Sequence, residues 1–333
     1  MSVVNMAKRT LGDGFAGRAV RKVRRVMRNR ANYRKVADTA YNFIDRSTGS
    51  DKLCIVLAGY KEPLWEEVFG RLALFAPEDI DVCIMTSGLV NEKLQSISAE
   101  HGWSYLSTEV NHLSQVQNLA IEKHPHARWI YKLDEDMFLT EGFFEKLREA
   151  YEYTESSTPY VPAFVSPLIN VNCYGHLRLL DKVGLTEDFA ATGLTNMKYT
   201  DGLNHSNDVL ESSAVARYLW GETREVLRDI DTLNTRFAAE PLTISVCPMR
   251  FSIGAILFTR KAWESFGKFP LTFVGSSYGI GDDEEHICHY AMFTGRAIVV
   301  CENSLVGHLG YGPQTAAMLE YYEAHADRFA LKG

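Results

Sequence analysis

The stretch Trp129-Ile130-Tyr131-Lys132-Leu133-Asp134-Glu135-Asp136-Met137 sets an acidic pair at the end of an apolar run. The run has strand length and strand composition. Its backbone turns away at the end, so Asp134 and Asp136, spaced by one residue, can face the same side. Two carboxylates there form a hard-oxygen site for Mg2+ or Mn2+. Such an ion can bridge a diphosphate and neutralise charge that develops on a leaving group. A solvated acidic turn would carry the same residues, so the surrounding sequence has to distinguish the two.

Upstream, the pattern alternates strand and helix. Residues 53–58 predict a buried strand and 63–75 a helix. Strands at 80–85 and 103–107 alternate with helices at 91–101 and 113–123. The quoted strand follows, with a helix over 141–153. This rhythm predicts an α/β fold, a mostly parallel central sheet flanked by helices. Open sheets of this kind bind ligands at the carboxyl ends of their strands. Downstream the pattern is less regular. Strands are expected at 163–171, 251–259 and 297–301, and helices at 214–237, 260–266, 282–293 and 315–329. The polar stretch 184–213 reads as a long loop.

Two later segments carry further chemistry. Tyr278-Gly279-Ile280-Gly281-Asp282-Asp283-Glu284-Glu285-His286 packs four acids into the start of a helix. The helix dipole favours acids in a first turn, but four together repel one another. One of the four, Asp282, Asp283, Glu284 or Glu285, facing a cleft could deprotonate an acceptor hydroxyl. Val306-Gly307-His308-Leu309-Gly310-Tyr311-Gly312 sets a histidine among glycines after a strand. Neutral imidazole is a common ligand for a divalent metal, and glycine permits close approach.

The 333 residues, 46% hydrophobic and 23% charged, have the composition of a globular chain. No apolar run approaches the roughly 20 residues of a spanning helix, and the start shows no secretory pattern. The six cysteines form no C-x-x-C pair and read as small buried hydrophobes in a reducing compartment. A cytoplasmic protein is expected. Its charge is split: residues 1–35 hold eleven basic residues and one acid, so a head of net +10 precedes a body of net −17. Apolar Phe15, Ala19, Val23, Val26 and Met27 recur between arginines, which predicts a basic amphipathic helix over 15–45. Ser47-Thr48-Gly49-Ser50 then reads as a linker. Residues 1–50 are thus a head, and 51–333 a catalytic domain with a nucleotide-binding half (51–140) and an acceptor half (141–333).

In this order and on these elements, the segments resemble the GT-A glycosyltransferases, especially the inverting family 2-like enzymes, over roughly residues 52–312. Val116-Gln117-Asn118 sits where that family has A-R-N, and Asp134-Glu135-Asp136 looks like its D-x-D motif. Ser252-Ile253-Gly254-Ala255-Ile256-Leu257-Phe258-Thr259-Arg260 resembles its G-x-x-x-x-F-R-R turn. Gly281-Asp282-Asp283 resembles G-E-D, and His308 the late metal-ligating histidine. The resemblance implies a GT-A domain that moves a sugar from a nucleotide-sugar donor, with inversion, to a glycan or lipid-linked glycan. Bacterial surface polysaccharide or glycoconjugate synthesis is the expected setting. It implies Mn2+ or Mg2+ held by Asp136 and His308, with Asp134 reaching the metal or the ribose. Asp283 would be the base, with Asp282 and Glu284 as runners-up. Ala58, Tyr60, Thr86, Asn118, Asp134 and Glu135 would bind the nucleotide sugar, and UDP is the favoured nucleotide. Asn170, Asn172, Tyr174, His176 and Gly254 would bind the acceptor, with 184–213 as a lid.

The departures are specific. The segment after the second strand is Ile84-Met85-Thr86-Ser87-Gly88, without the family's base-reading acid. The first strand ends in Ala58-Gly59-Tyr60-Lys61 rather than P-x-Y-N. A sugar nucleotidyltransferase shares the sheet and carboxylates, but this turn is a poor version of its Gly-rich basic loop. A non-catalytic sugar- or partner-binding domain is the other rival, and the intact acids argue against it. For the head, docking on an anionic membrane surface through residues 15–35 competes with packing on the catalytic domain. Nucleic acid is not an expected partner.

Overall fold

The computed structural model describes Ala31 and residues 33–201, 204–271 and 281–331. Its elements in chain order begin with β1 (Tyr41–Ile44), β2 (Lys52–Leu57), α1 (Trp65–Phe75), β3 (Asp81–Ser87), α2 (Glu92–Glu100), β4 (Ser104–Thr108), α3 (Leu113–Lys123) and β5 (Trp129–Asp134). There follow β6 (Met137–Phe138), α4 (Phe143–Ser157), β7 (Pro162–Ile169), α5 (Gly175–Val183), α6 (Thr186–Ala191), β8 (Thr200–Asp201), β9 (Asn204–His205), α7 (Asn207–Glu211) and α8 (Ser213–Leu219). The chain closes with α9 (Ile230–Ala238), β10 (Ile244–Cys247), β11 (Ala255–Thr259), α10 (Arg260–Ser265), α11 (Asp282–Phe293), β12 (Ala297–His308) and α12 (Thr315–Ala324).

The main sheet runs β1-β4-β3-β2-β5-β11-β7-β12-β10, and β6 pairs with β12. Strands β4, β3, β2, β5, β7 and β12 point one way, while β1, β11 and β10 oppose them. The sheet is therefore mostly parallel, as the alternating pattern predicts. Its inner strands are apolar on both faces because helices cover both sides. From β2 the chain winds outward to β3 and β4, then returns to add β5 on the other side of β2. That reversal parts the loops leaving β2 and β5 and opens a crevice between them. Leu57 stands opposite Asp134 in this pair, so the acidic turn lies at the crevice.

Arg71 of α1, only 1% exposed, ties α1 to α9 and to the C-terminal segment. Its guanidinium meets Asp231 of α9 at 2.8 and 2.9 Å and the carbonyls of Leu139 and Phe329 at 2.9 Å each. All six cysteines are free and buried. Among the described residues no helix is long and apolar enough to cross a membrane.

Several expected elements are corrected. The helix expected over 15–45 falls up to residue 30 outside the described residues, so the structure describes only its end. Residues 33–37 are helical. Tyr41–Ile44 is instead an edge strand antiparallel to β4, with Tyr41 opposite Thr108. Its aromatic and β-branched residues suit a pleated edge. The stretch read as a linker is docked as well: the Thr48, Gly49 and Ser50 N–H groups donate to the Asp81 carboxylate. The helix expected over 214–237 is two helices. Gly221 takes a left-handed turn at φ 73°, and the Asp229 side chain caps α9 by accepting from the Asp231 and Thr232 N–H groups. The stretch 184–213 is not one loop, since it contains α6, β8, β9 and α7. β12 runs on to His308 through a register shift between Cys301 and Leu305. Polar Glu302-Asn303-Ser304 hides that continuation from an apolar pattern. Inside the fold these residues are partnered, with Glu302 on Arg178 at 2.8 Å and the Asn303 amide on the Phe237 carbonyl at 2.8 Å.

Candidate active site

β5 ends at Asp134, and the chain turns at once into β6, which pairs with the end of β12. In that pairing Met137 stands opposite His308 and Phe138 opposite Gly307. The Leu309 N–H donates to the Asp136 carbonyl at 3.1 Å, so the turn and the histidine are knitted together by backbone. A Cβ on Gly307 would run into the Trp220 ring, whose Nε1 donates to the His308 carbonyl at 2.8 Å. The Asn170 side chain accepts from the His308 N–H at 2.8 Å. The His308 Nδ1 lies 2.7 Å from the Val171 carbonyl, so by its partner Nδ1 carries the hydrogen. In the neutral ring Nε2 is then the free lone pair, and it lies 3.4 Å from Asp136 Oδ2.

A cavity of about 380 Å3 opens here. Five carboxylates line it (Asp134, Glu135, Asp136, Asp283 and Glu284) against two ammonium groups, Lys61 and Lys132. Burial pushes the Asp136 carboxyl up, but His308 and Lys61 beside it hold it well below the usual carboxylate range. Asp134 is raised by burial, against the opposing pull of Lys132. Lys132, only 2% exposed, donates to Asp134 at 2.7 Å and to the Ile253 carbonyl at 2.9 Å. The middle acid, Glu135, faces the loop after β2. It accepts from the Gly59 and Tyr60 N–H groups, each at 2.9 Å, and from Trp65 Nε1 at 2.6 Å.

Asp134, Asp136 and His308 fit a hard divalent cation by donor chemistry: two carboxylates and an imidazole whose tautomer is set by a carbonyl. Among the described residues, however, no three His, Cys, Asp or Glu groups stand ready at metal-binding spacing. Asp134 is turned to Lys132, and Asp136 to Lys61 and His308.

The first turn of α11 carries Asp283 and Glu284 into the same cavity. Asp283 Oδ2 accepts from Gln117 Nε2 of α3 at 2.7 Å. Glu284 is buried, with Asp283, Arg250, Lys132 and Cys288 around it. Burial first, and then the Asp283 carboxylate, push its carboxyl from 4.5 up to about 8. Between those two values the fold holds a proton that the unfolded chain has released, so this group's contribution to stability is lost as pH rises from 4.5 to about 8. Glu284→Gln is therefore expected to stabilise the protein at pH 8 relative to wild type, by on the order of 2 kcal/mol, with little gain near pH 5. Denaturant melts at the two pH values check this, and an equal effect at both would rule it out.

The structure brings ten of the residues singled out in the sequence to this cavity. Ala58, Tyr60, Asp134, Glu135, Asp136, Asn172, Gly254, Asp283, Glu284 and His308 all line it. It does not bring the rest. The Thr86 hydroxyl is buried between the Leu89 carbonyl and the Tyr105 hydroxyl. The Asn118 amide is consumed by the Phe269 backbone and Trp263 Nε1. Asn170 braces His308 and the Val171 N–H from behind. Tyr174 packs on Tyr199, with ring centroids 4.9 Å apart. His176 is buried with Nδ1 on the Asn172 carbonyl, and burial lowers its pKa to about 4. Asp282 is outside the lining. Tyr278, Gly279 and Ile280 lie outside the described residues.

Five site residues were missed in the sequence reading. Lys61 and Lys132 stood inside the quoted motifs and Gln117 beside Asn118, with nothing to mark their direction. Ser252 and Tyr311 share a 2.7 Å hydrogen bond on the Asn172 side. A tyrosine and a serine this far apart in sequence give no pattern to read.

No protein-family model and no curated protein matches the sequence. Among solved structures, the chain is similar to the mannosyltransferase PcManGT from Pyrobaculum calidifontis in complex with GDP-Man and Mn2+. The identity is 14% and the TM-score 0.43, over 92% of this chain and 71% of that one. It is also similar to S. aureus TarS, at 13% identity and a TM-score of 0.28, over 36% of this chain and 21% of that one. Likeness at this level says nothing of activity, so a functional reading of this chain rests on the side chains of the cavity.

Proposed function

We propose that the chain is a metal-dependent GT-A-type glycosyltransferase that transfers a sugar from a nucleotide-sugar donor, with inversion, to a glycan or lipid-linked glycan hydroxyl. One observation carries the reading: the Asp134/Asp136/His308 group and the Asp283/Glu284 pair line one cavity at the switch point of an open sheet. A divalent cation, Mn2+ or Mg2+, held by Asp136, His308 and Asp134 would offset the charge of the leaving diphosphate. Glu135 fixes the loop that carries Tyr60, and Tyr60, 65% exposed, offers its ring to a nucleobase. With the Thr86 hydroxyl engaged, base recognition falls to Tyr60 and backbone groups near Ser87. The family resemblance favours UDP.

The acceptor would enter beside Asn172, Ser252 and Tyr311. Its hydroxyl would pass a proton to Asp283, which Gln117 orients. Glu284, protonated near neutral pH by its burial, would stand beside that base without adding charge. The basic stretch 15–35 would hold this acidic body at an anionic membrane surface.

A screen of UDP-, GDP-, ADP- and CMP-sugars with Mn2+, Mg2+ or EDTA tests the reading. Metal-dependent donor hydrolysis or transfer, seen by mass spectrometry, is expected for at least one donor. No hydrolysis, transfer or calorimetric binding with any of them would overturn it.

A further inference from the structure

Lys61 follows the loop that leaves β2. Glu135 grips that loop by the Gly59 and Tyr60 N–H groups, so the start of the side chain is held at the cavity mouth. From there the ammonium reaches down to Asp136 Oδ2. This is the same oxygen that faces His308 Nε2 at 3.4 Å. The two groups best suited to share a divalent cation thus have an ammonium on the oxygen between them. The carboxylate is 3% exposed and needs a counter-ion.

We propose that Lys61 is a built-in counter-ion that competes with a divalent cation for Asp136 and, once displaced, takes a phosphate oxygen of the donor. The inference rests on the nucleotide-sugar reading above. A divalent cation and an ammonium on one carboxylate oxygen repel each other at close range, so arrival of the metal drives Lys61 off. Its four-carbon stem is flexible, while its backbone is anchored. The ammonium therefore swings within the cavity and stays there. The donor's diphosphate brings fresh negative charge to the same place, and the freed ammonium is the cationic side chain near enough to meet it. Lys132 is not available for this, being buried and bonded to Asp134 and the Ile253 carbonyl. Metal and donor would then bind with positive coupling, because each makes the displacement of Lys61 easier for the other.

The test measures Mn2+ binding without nucleotide, by the electron paramagnetic resonance signal of free Mn2+, on full-length wild type, Lys61→Met, Lys61→Gln and Lys61→Arg. Thermal melts verify that each is folded. Lys61→Met and Lys61→Gln are expected to bind Mn2+ on the order of tenfold tighter than wild type, and Lys61→Arg to stay close to it. At saturating Mn2+, UDP and GDP affinities should fall by on the order of tenfold in the same two variants. Mn2+ affinity that is unchanged or weaker in both variants overturns the competition. Nucleotide affinity left unmoved overturns the phosphate contact. Absence of Mn2+ binding in every form overturns this inference and the metal-dependent reading together, whereas equal Mn2+ binding by all forms overturns only the role of Lys61.

Discussion

Asp136→Ala is expected to abolish metal-dependent donor binding and to lower turnover by roughly 10³-fold, taking metal-borne charge stabilisation at several kcal/mol and about 1.4 kcal/mol per decade of rate. The carboxylate removed is the one whose Oδ2 faces both Lys61 and His308. Lys61 and His308 beside it outweigh the effect of burial and hold it below the usual carboxylate range. Alanine leaves His308 without a carboxylate partner and Lys61 without a counter-ion. Asp136→Asn keeps the size and loses the charge, so it should fail almost as badly. Calorimetry of Mn2+ and sugar nucleotide gives the binding readout, and initial rates give turnover. Undiminished turnover in Asp136→Ala, or full wild-type activity in EDTA, would exclude Asp136 as a metal ligand.

Asp283→Asn should retain donor affinity and lose about 10²–10⁴-fold in turnover, the usual worth of a general base. The geometry separates this variant from the first. Asp283 stands at the start of α11, on a different element from the β5 turn, and its partner is a neutral amide, Gln117 Nε2 at 2.7 Å. An asparagine there can still meet Gln117 but cannot accept a proton from an acceptor hydroxyl. Inversion requires the base on the face opposite the leaving diphosphate, so the anomeric configuration of the product is the second readout. Nuclear magnetic resonance of the product decides it. Retained configuration would overturn the mechanism whichever acid is involved. An unchanged rate in Asp283→Asn with inversion intact would exclude Asp283 as the base.

The parallel half of the sheet was legible because its residues obey local periods. Lys52–Leu57, Asp81–Ser87 and Trp129–Asp134 are short apolar runs between helices with one apolar side, and each expected strand lies within about two residues of the observed one. The second half broke the same rules. β12 continues through Glu302-Asn303-Ser304 because Arg178 and the Phe237 carbonyl partner buried polar groups there. The 214–237 helix looked continuous because its periodicity survives the Gly221 turn. Tyr41–Ile44 is strand because the edge of β4 was open to it, and an open edge has no signature in the stretch that fills it.

For the site, sequence by itself determined which acids stand at strand and helix ends: Asp134, Asp136, Asp283 and Glu284. It also marked His308 among its glycines. Each follows from a local pattern, an apolar run stopping at a carboxylate or acids opening a helix. Only the tertiary structure decided which of them meet, and with what partners. β6 pairing with β12 delivers His308 to Asp136, and the reversal of strand order at β2 puts Lys61 on that carboxylate. It likewise turned Glu135 away to hold a loop, and closed Thr86, Asn118 and His176 into hydrogen bonds outside the cavity. The reason is physical. A side chain's type and spacing fix what it can bond, but its direction and its competitors are set by strand register and burial, and these come from residues far away in the chain.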